Sequence, residues 1–214
     1  MMRTLLLLLL ITPLYIKAEL TASEQLESEL TKLQTFEANF VQQNYAVGRM
    51  AEESTSGRFL LQRPNQFMWQ TYSPFAQTIT SNGEAIWTLD DDLEQVIISP
   101  LDEEIQNAPI LLLAREHTDL EKLFTIEKEE EEEDNEVYYV LNPVDNSGNF
   151  ERIRIGFTND MLSVLELFDS LGQMTRITMT NVRMNPVLDP SVFSPEIPDD
   201  FDVIDSRPIP DATE

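Results

Sequence analysis

The spacing of apolar positions changes along the chain. Behind Thr21-Ala22-Ser23-Glu24, a stretch able to close a capping box, Leu26, Leu30, Leu33, Phe36 and Phe40 recur at steps of three and four. That spacing predicts one amphipathic helix over 23–43, with its apolar stripe laid on some other apolar surface, because such a helix is not stable alone in water. From Tyr45 the pattern shortens into runs of aromatic, β-branched and leucine residues. Strands are predicted over 58–62, 66–72, 75–81, 85–89 and 95–99, divided by Pro64-Asn65, Ser73-Pro74, Asn82-Gly83 and Asp90-Asp91-Asp92. Asn82-Gly83 is the clearest hairpin signal, since both residues tolerate positive φ. Connections this short imply antiparallel neighbours; parallel ones would need crossovers.

An interruption follows over 102–115. Pro109 suits a first helical turn, with Asn107 or Ala108 at the cap, and the apolar run Ile110-Leu111-Leu112-Leu113-Ala114 predicts a short helix that is buried on more than one side or touches a ligand. Strands resume over 123–128, 137–142, 150–157, 162–169 and 173–183, with turns at 146–149 and 170–172. Ile153, Ile155 and Phe157 alternate with Arg152, Arg154 and Gly156, so that strand has one wet face, whereas 137–141 is apolar on both. Beyond Phe193 the chain turns proline-rich and acidic, and 195–214 is expected to wrap the surface and then fray. The sum is a mainly β, α+β chain: one large curved antiparallel sheet with helices on one face.

The first 18 residues read differently. Arg3 precedes the apolar run 5–11, Pro13 breaks it, and Ala18 offers a small residue for cleavage, the tripartite pattern of a secretory signal peptide. The run is shorter than the roughly 20 apolar residues that span a bilayer. The expected division is a signal peptide over 1–18, one domain over 19–205 and a flexible acidic tail over 206–214, with export to the periplasm and no stable membrane insertion.

Charge and composition narrow the function. Asp plus Glu number 39 against 14 Lys plus Arg, a formal net charge of −25. That balance argues against nucleic acid and against adsorption to anionic membranes. With no cysteine and a single histidine, His117, thiolate and histidine-rich metal sites and cysteine nucleophiles are excluded. No serine-nucleophile motif accompanies His117, and no carboxylate pair stands out from the general acidity. The expectation is no enzyme, no metal and no cofactor. The acidic run 129–134 reads as a solvated hairpin tip, and Asp90-Asp91-Asp92 as a turn, since it lacks the spaced oxygens of a calcium loop.

The most informative stretch is Arg63-Pro64-Asn65-Gln66-Phe67-Met68-Trp69. Phe67 and Trp69, two apart in a strand, share a face. A guanidinium beside that face needs acceptors, and helix-end carbonyls are suitable ones. An ordinary core aromatic pair with a surface arginine is the plainer alternative.

The ordered set Phe36…Phe40…Gln43, Ser56-Gly57-Arg58, Arg63-Pro64-x-x-Phe67-x-Trp69, Gln77-x-Ile79…Asn82-Gly83…Ile86-Trp87, Ala108-Pro109-Ile110-x-Leu112-Leu113 and Phe193…Pro195…Ile197-Pro198 resembles the periplasmic outer-membrane lipoprotein carriers of the LolA type. The resemblance implies an unclosed antiparallel β-barrel, a half-barrel, with an α-helical lid over an apolar cavity. It implies a monomeric carrier that takes acylated lipoproteins from an inner-membrane ABC transporter and passes them to a lipid-anchored outer-membrane receptor. Arg63 matches an arginine that ties barrel to lid, Phe67 an aromatic near the mouth, and Trp69 one on the cavity side. Ile110, Leu112, Leu113, Leu33 and Phe36 complete the expected acyl-chain surface. The alternative within the same fold is a periplasmic lipoprotein-sensing regulatory domain.

Overall fold

The computed structural model describes residues 20–46, 54–101, 113–114, 120–131, 136–145 and 149–208. The expected leader over 1–18, the central helix apart from Leu113 and Ala114, His117 and the end of the tail lie outside them. The elements are α1 (Ala22–Thr31), β1 (Thr35–Tyr45), β2 (Ser54–Gln62), β3 (Gln66–Ser73), β4 (Gln77–Asn82), β5 (Ala85–Asp90), β6 (Gln95–Pro100), α2 (Leu120–Leu123), β7 (Phe124–Glu131), β8 (Glu136–Pro143), β9 (Phe150–Thr158), β10 (Met161–Asp169), β11 (Met174–Met184) and β12 (Asp202–Asp205). All twelve strands join one sheet in the order β12-β6-β5-β4-β3-β2-β1-β11-β10-β9-β8-β7. Every pairing is antiparallel except β12 with β6, and β7 and β12 are the two ends of an unclosed sheet.

The helix expected over 23–43 is corrected: it ends at Thr31, and its second half is strand β1. Phe36 and Phe40, four apart, satisfy a helical step and also two strand steps. Ala38, buried between them, shows which period holds. Thr35, Val41 and the two phenylalanines favour a strand, and β2 and β11 supply partners on both sides. In α1 itself the capping box is closed: Thr21 Oγ1 accepts from Glu24 N at 3.2 Å, and Glu24 Oε2 accepts from Thr21 N at 2.8 Å.

All ten predicted strands are present; the strand expected over 75–81 begins instead at Gln77, leaving Phe75 exposed. The β4–β5 hairpin turns at Asn82-Gly83, where Gly83 has φ +97° and Asn82 Oδ1 accepts from Glu84 N and Ala85 N. Asp90 closes its turn by accepting from Asp92 N and Leu93 N. The segment expected only to wrap the surface contains β12, held by Asp202 N donating to Glu94 O and Ser206 N to Ile98 O, both at 2.8 Å. A short 3₁₀ helix, Pro190–Phe193, packs on β3 and β4 and buries Phe193 completely.

Strand alternation gives the sheet two faces. One is apolar from β7 to β5: Ile126, Tyr139, Ile155, Leu165, Ile177, Phe36, Phe59, Phe67, Ile79 and Ile86 belong to one packed cluster. Leu26, Leu30 and Leu33 from α1 and its exit, with Leu113, Ala114 and Leu120, join that cluster and cover the face. The other face carries charge networks. Glu166, almost fully buried, accepts from Arg154 at 2.7 Å and Arg176 at 2.6 Å. Glu37 pairs with Arg58 at 2.7 Å and with Arg183. Burial raises the Glu37 carboxyl, but hydrogen bonds from both arginines outweigh it and hold it below the ordinary value of 4.5.

Two tests follow from this packing. A Cβ at Gly57 would lie 1.9 Å from Gln70 O and 2.7 Å from the Phe40 ring. Gly57→Ala is therefore expected to cost about 3 kcal/mol in urea unfolding. Because the Glu37 pKa is lowered on folding, its contribution is complete above the unfolded value and fades as the pH falls through the folded one. Glu37→Gln should lower stability by about 1 kcal/mol at pH 7, and the gap to wild type should narrow below pH 4.5.

Candidate functional site

The site is the covered apolar face and the rim where its cover attaches. Cross-strand register builds the aromatic part. Phe36 stands opposite Leu61, Ala38 opposite Phe59 and Phe40 opposite Gly57, while Phe67 and Trp69 on β3 oppose Leu61 and Phe59. Phe40 and Trp69 stack with centroids 3.7 Å apart across the space left by Gly57, and Phe59 meets Trp69 at 5.6 Å and Phe36 at 5.8 Å. A residue without a side chain between them is what permits that stack.

The sequence-predicted residues divide as follows. Phe67, Leu33, Phe36 and Leu113 are each at most 2% exposed, and Trp69 is half-buried. All five belong to the cluster between sheet and cover. Ile110 and Leu112 lie outside the described residues. Arg63 is half-buried at the β2–β3 turn, and its Nε and Nη2 atoms are shut off from solvent. Under α1 the expected hollow is filled by Leu26, Leu30 and Leu33, so the described residues show a covered face there and not an open apolar cavity.

The Arg63–Asn65 turn touches both covering segments through its backbone. Arg63 N donates to Gln34 O just after α1, and Asn65 N donates to Ala114 O, both at 2.9 Å. Ser81 Oγ supports the turn by donating to Asn65 O at 2.8 Å. One hairpin turn therefore holds the exit of the helix and the end of the central segment.

A second attachment lies at the end of β11. Asn185, just beyond β11, has φ +55°. Its Oδ1 accepts from Gln34 N at 3.0 Å and Thr35 N at 3.2 Å, its Nδ2 donates to Lys32 O at 3.0 Å, and its own N–H donates to Thr35 O at 2.8 Å. The residue fixes the passage from α1 into β1. The only sequence sign is an Asn-Pro pair after a strand, which reads as an ordinary turn.

A cavity of about 480 Å³ opens farther along the same rim, between α1 and the β7–β10 half of the sheet. It is lined by the apolar Val137, Tyr139 and Phe157 and by the polar Gln25, Ser28, Glu29, Lys128, Asn159 and Asp160. Burial pushes the Tyr139 hydroxyl above its ordinary pKa. None of the helices among the described residues is long and apolar enough to cross a membrane.

Comparison with known proteins adds family information. Residues 31–196 match the family described as outer membrane lipoprotein carrier protein LolA. Proteins named outer-membrane lipoprotein carrier protein are similar along most of their length. The one from Hahella chejuensis is 34% identical over 86% of this chain and 88% of its own. The one from Methylococcus capsulatus is 36% identical over 89% and 91%. Among solved structures, an uncharacterized conserved protein from Thermus thermophilus shares the fold with a TM-score of 0.58 at 13% identity, over 86% of this chain and 99% of its own.

If Asn185 anchors the cover, Asn185→Gly, which keeps the positive φ comfortable but removes the side chain, should lower stability by about 2 kcal/mol. Limited proteolysis should then cut between Lys32 and Thr35 faster than in wild type.

Proposed function

The chain belongs to the LolA family of outer membrane lipoprotein carrier proteins, and from that premise we propose that it moves acylated lipoproteins through the periplasm. It receives them as an inner-membrane ABC transporter releases them and passes them, as a monomer, to a lipid-anchored receptor at the outer membrane. It is a carrier and not an enzyme. The relatives' names favour this reading over a lipoprotein-sensing regulatory domain.

The observation that carries the proposal is, among the described residues, a single open sheet whose apolar face is covered by α1 with its exit and by Leu113, Ala114 and Leu120. Each fully buried leucine of that cover contributes about 1.5–3 kcal/mol. An acyl chain of roughly 15 methylenes recovers about 12 kcal/mol on leaving water, at about 0.8 kcal/mol each. Cargo chains can therefore replace Leu26, Leu30 and Leu33 as the occupants of the hollow. The closed cover limits net affinity, because its own burial is lost on loading, and that loss assists release without ATP at the carrier.

Arg63 acts as the latch of this cycle. It sits in the turn that bonds to Gln34 O and Ala114 O, and its guanidinium is largely withdrawn from water. A guanidinium in that setting favours the closed arrangement by about 1.5–3 kcal/mol for each hydrogen bond it makes. Arg63→Leu is expected to load lipoprotein normally and to transfer it to receptor at least about tenfold more slowly. A transfer assay between purified carrier and receptor reads this directly, and wild-type transfer would remove the latch.

A further inference from the structure

The sheet ends in β7 on one side and β12 on the other, and the two ends are unlike. α1 packs against β7, whereas all four residues of β12 are exposed. Asp202 N donates to Glu94 O and Ser206 N to Ile98 O, so the even-numbered residues of β12 turn their backbone groups toward β6. Strand alternation then turns the N–H and C=O of Val203 and Asp205 outward, away from the sheet. Those are the groups to which a further strand would bond.

The side chains narrow what that strand can be. Between Asp202 and Asp205 stand Val203 and Ile204, 52% and 46% exposed. The register sets Val203 beside Val96 and Ile204 beside Ile97, itself 36% exposed, so each face of the edge offers an apolar residue to cover. Aspartates at a sheet edge discourage pairing with a strand of like charge. A guard against every strand would gain nothing from two exposed apolar residues at its centre. Glu94, Asp199 and Asp200, all exposed, adjoin the two aspartates, and Arg207 is bonded to Asp205 at 2.6 Å. A second copy of this chain would bring the same aspartates and a formal net charge of −25 to the edge, and like charges facing across strands are destabilising. A strand with apolar residues at its centre and Lys or Arg on either side meets the opposite condition.

We propose that the outer edge of β12 is a docking site for an extended cationic segment of another protein. The segment adds to the sheet as a further strand, bonds to the outward backbone groups of Val203 and Asp205, covers Val203 and Ile204, and sets its basic side chains among the surrounding carboxylates. This site uses none of the attachments of α1, so it stands apart from the carrier reading.

The test is calorimetry of the full mature protein with the peptide acetyl-Lys-Lys-Val-Ile-Val-Lys-Lys-amide and two controls. One control has Glu in place of every Lys; the other is N-methylated at its Val and Ile residues and cannot donate to a strand edge. Wild type should bind the basic peptide at least about tenfold more tightly than either control. Val203→Pro removes an outward N–H at a place where an edge strand tolerates proline, and should weaken binding about tenfold or more. Val203→Thr keeps the N–H and the branched side chain, and should stay within about threefold of wild type. If Val203→Pro fails to fold, the N-methylated peptide decides the question on the unaltered protein. Absence of binding by the basic peptide, equal binding of either control, or unchanged affinity in folded Val203→Pro each overturns the proposal. So does a concentration-dependent dimer that Val203→Pro abolishes, since a second copy would then be the occupant. None of these results bears on lipoprotein transfer, so the carrier reading stands or falls by its own assay.

Discussion

The structure depends on one constraint: a sheet that is not closed, with one face apolar from β7 to β5, must have that face covered. A second sheet would cover it permanently, as in a sandwich. Among the described residues the cover is a ten-residue helix with its exit, together with Leu113, Ala114 and Leu120. The proposed carrier cycle requires that this cover be displaced from the face it hides.

The attachments of the cover sit on one rim. Gln34 and Ala114 are held by the Arg63–Asn65 turn, and Lys32, Gln34 and Thr35 by Asn185. Both devices use backbone groups at the end of a helix or segment, where partners are lacking. The attachments therefore satisfy groups that would otherwise need water.

The opposite face has a different task. Glu166 and Glu37 each take two arginines from neighbouring strands, and Arg152 and Arg154 lie 4.0 Å over the rings of Phe168 and Tyr138. These cations tie strands together instead of offsetting the surplus of carboxylates at the surface. The outer surface is left strongly anionic, which favours free diffusion and opposes adsorption to anionic lipid.

Much of this was legible in the chain. Strand periodicity, the Asn82-Gly83 hairpin and the Thr21–Glu24 capping box are local, and local sterics and hydrogen bonds fixed them before any partner was known. The aromatic pair Phe67 and Trp69 was placed on one face by strand alternation alone. What failed was whatever depended on a distant partner. Phe36 and Phe40 fit two periods, and only pairing with β2 and β11 made them strand. β12 is too short and too acidic to announce itself, and exists because β6 offers an edge. Asn185 acquires its role from residues about 150 positions away. Periodicity told which residues avoid water; only the folded chain decided which surfaces hide one another, because that choice is made by contacts that no short window of sequence contains.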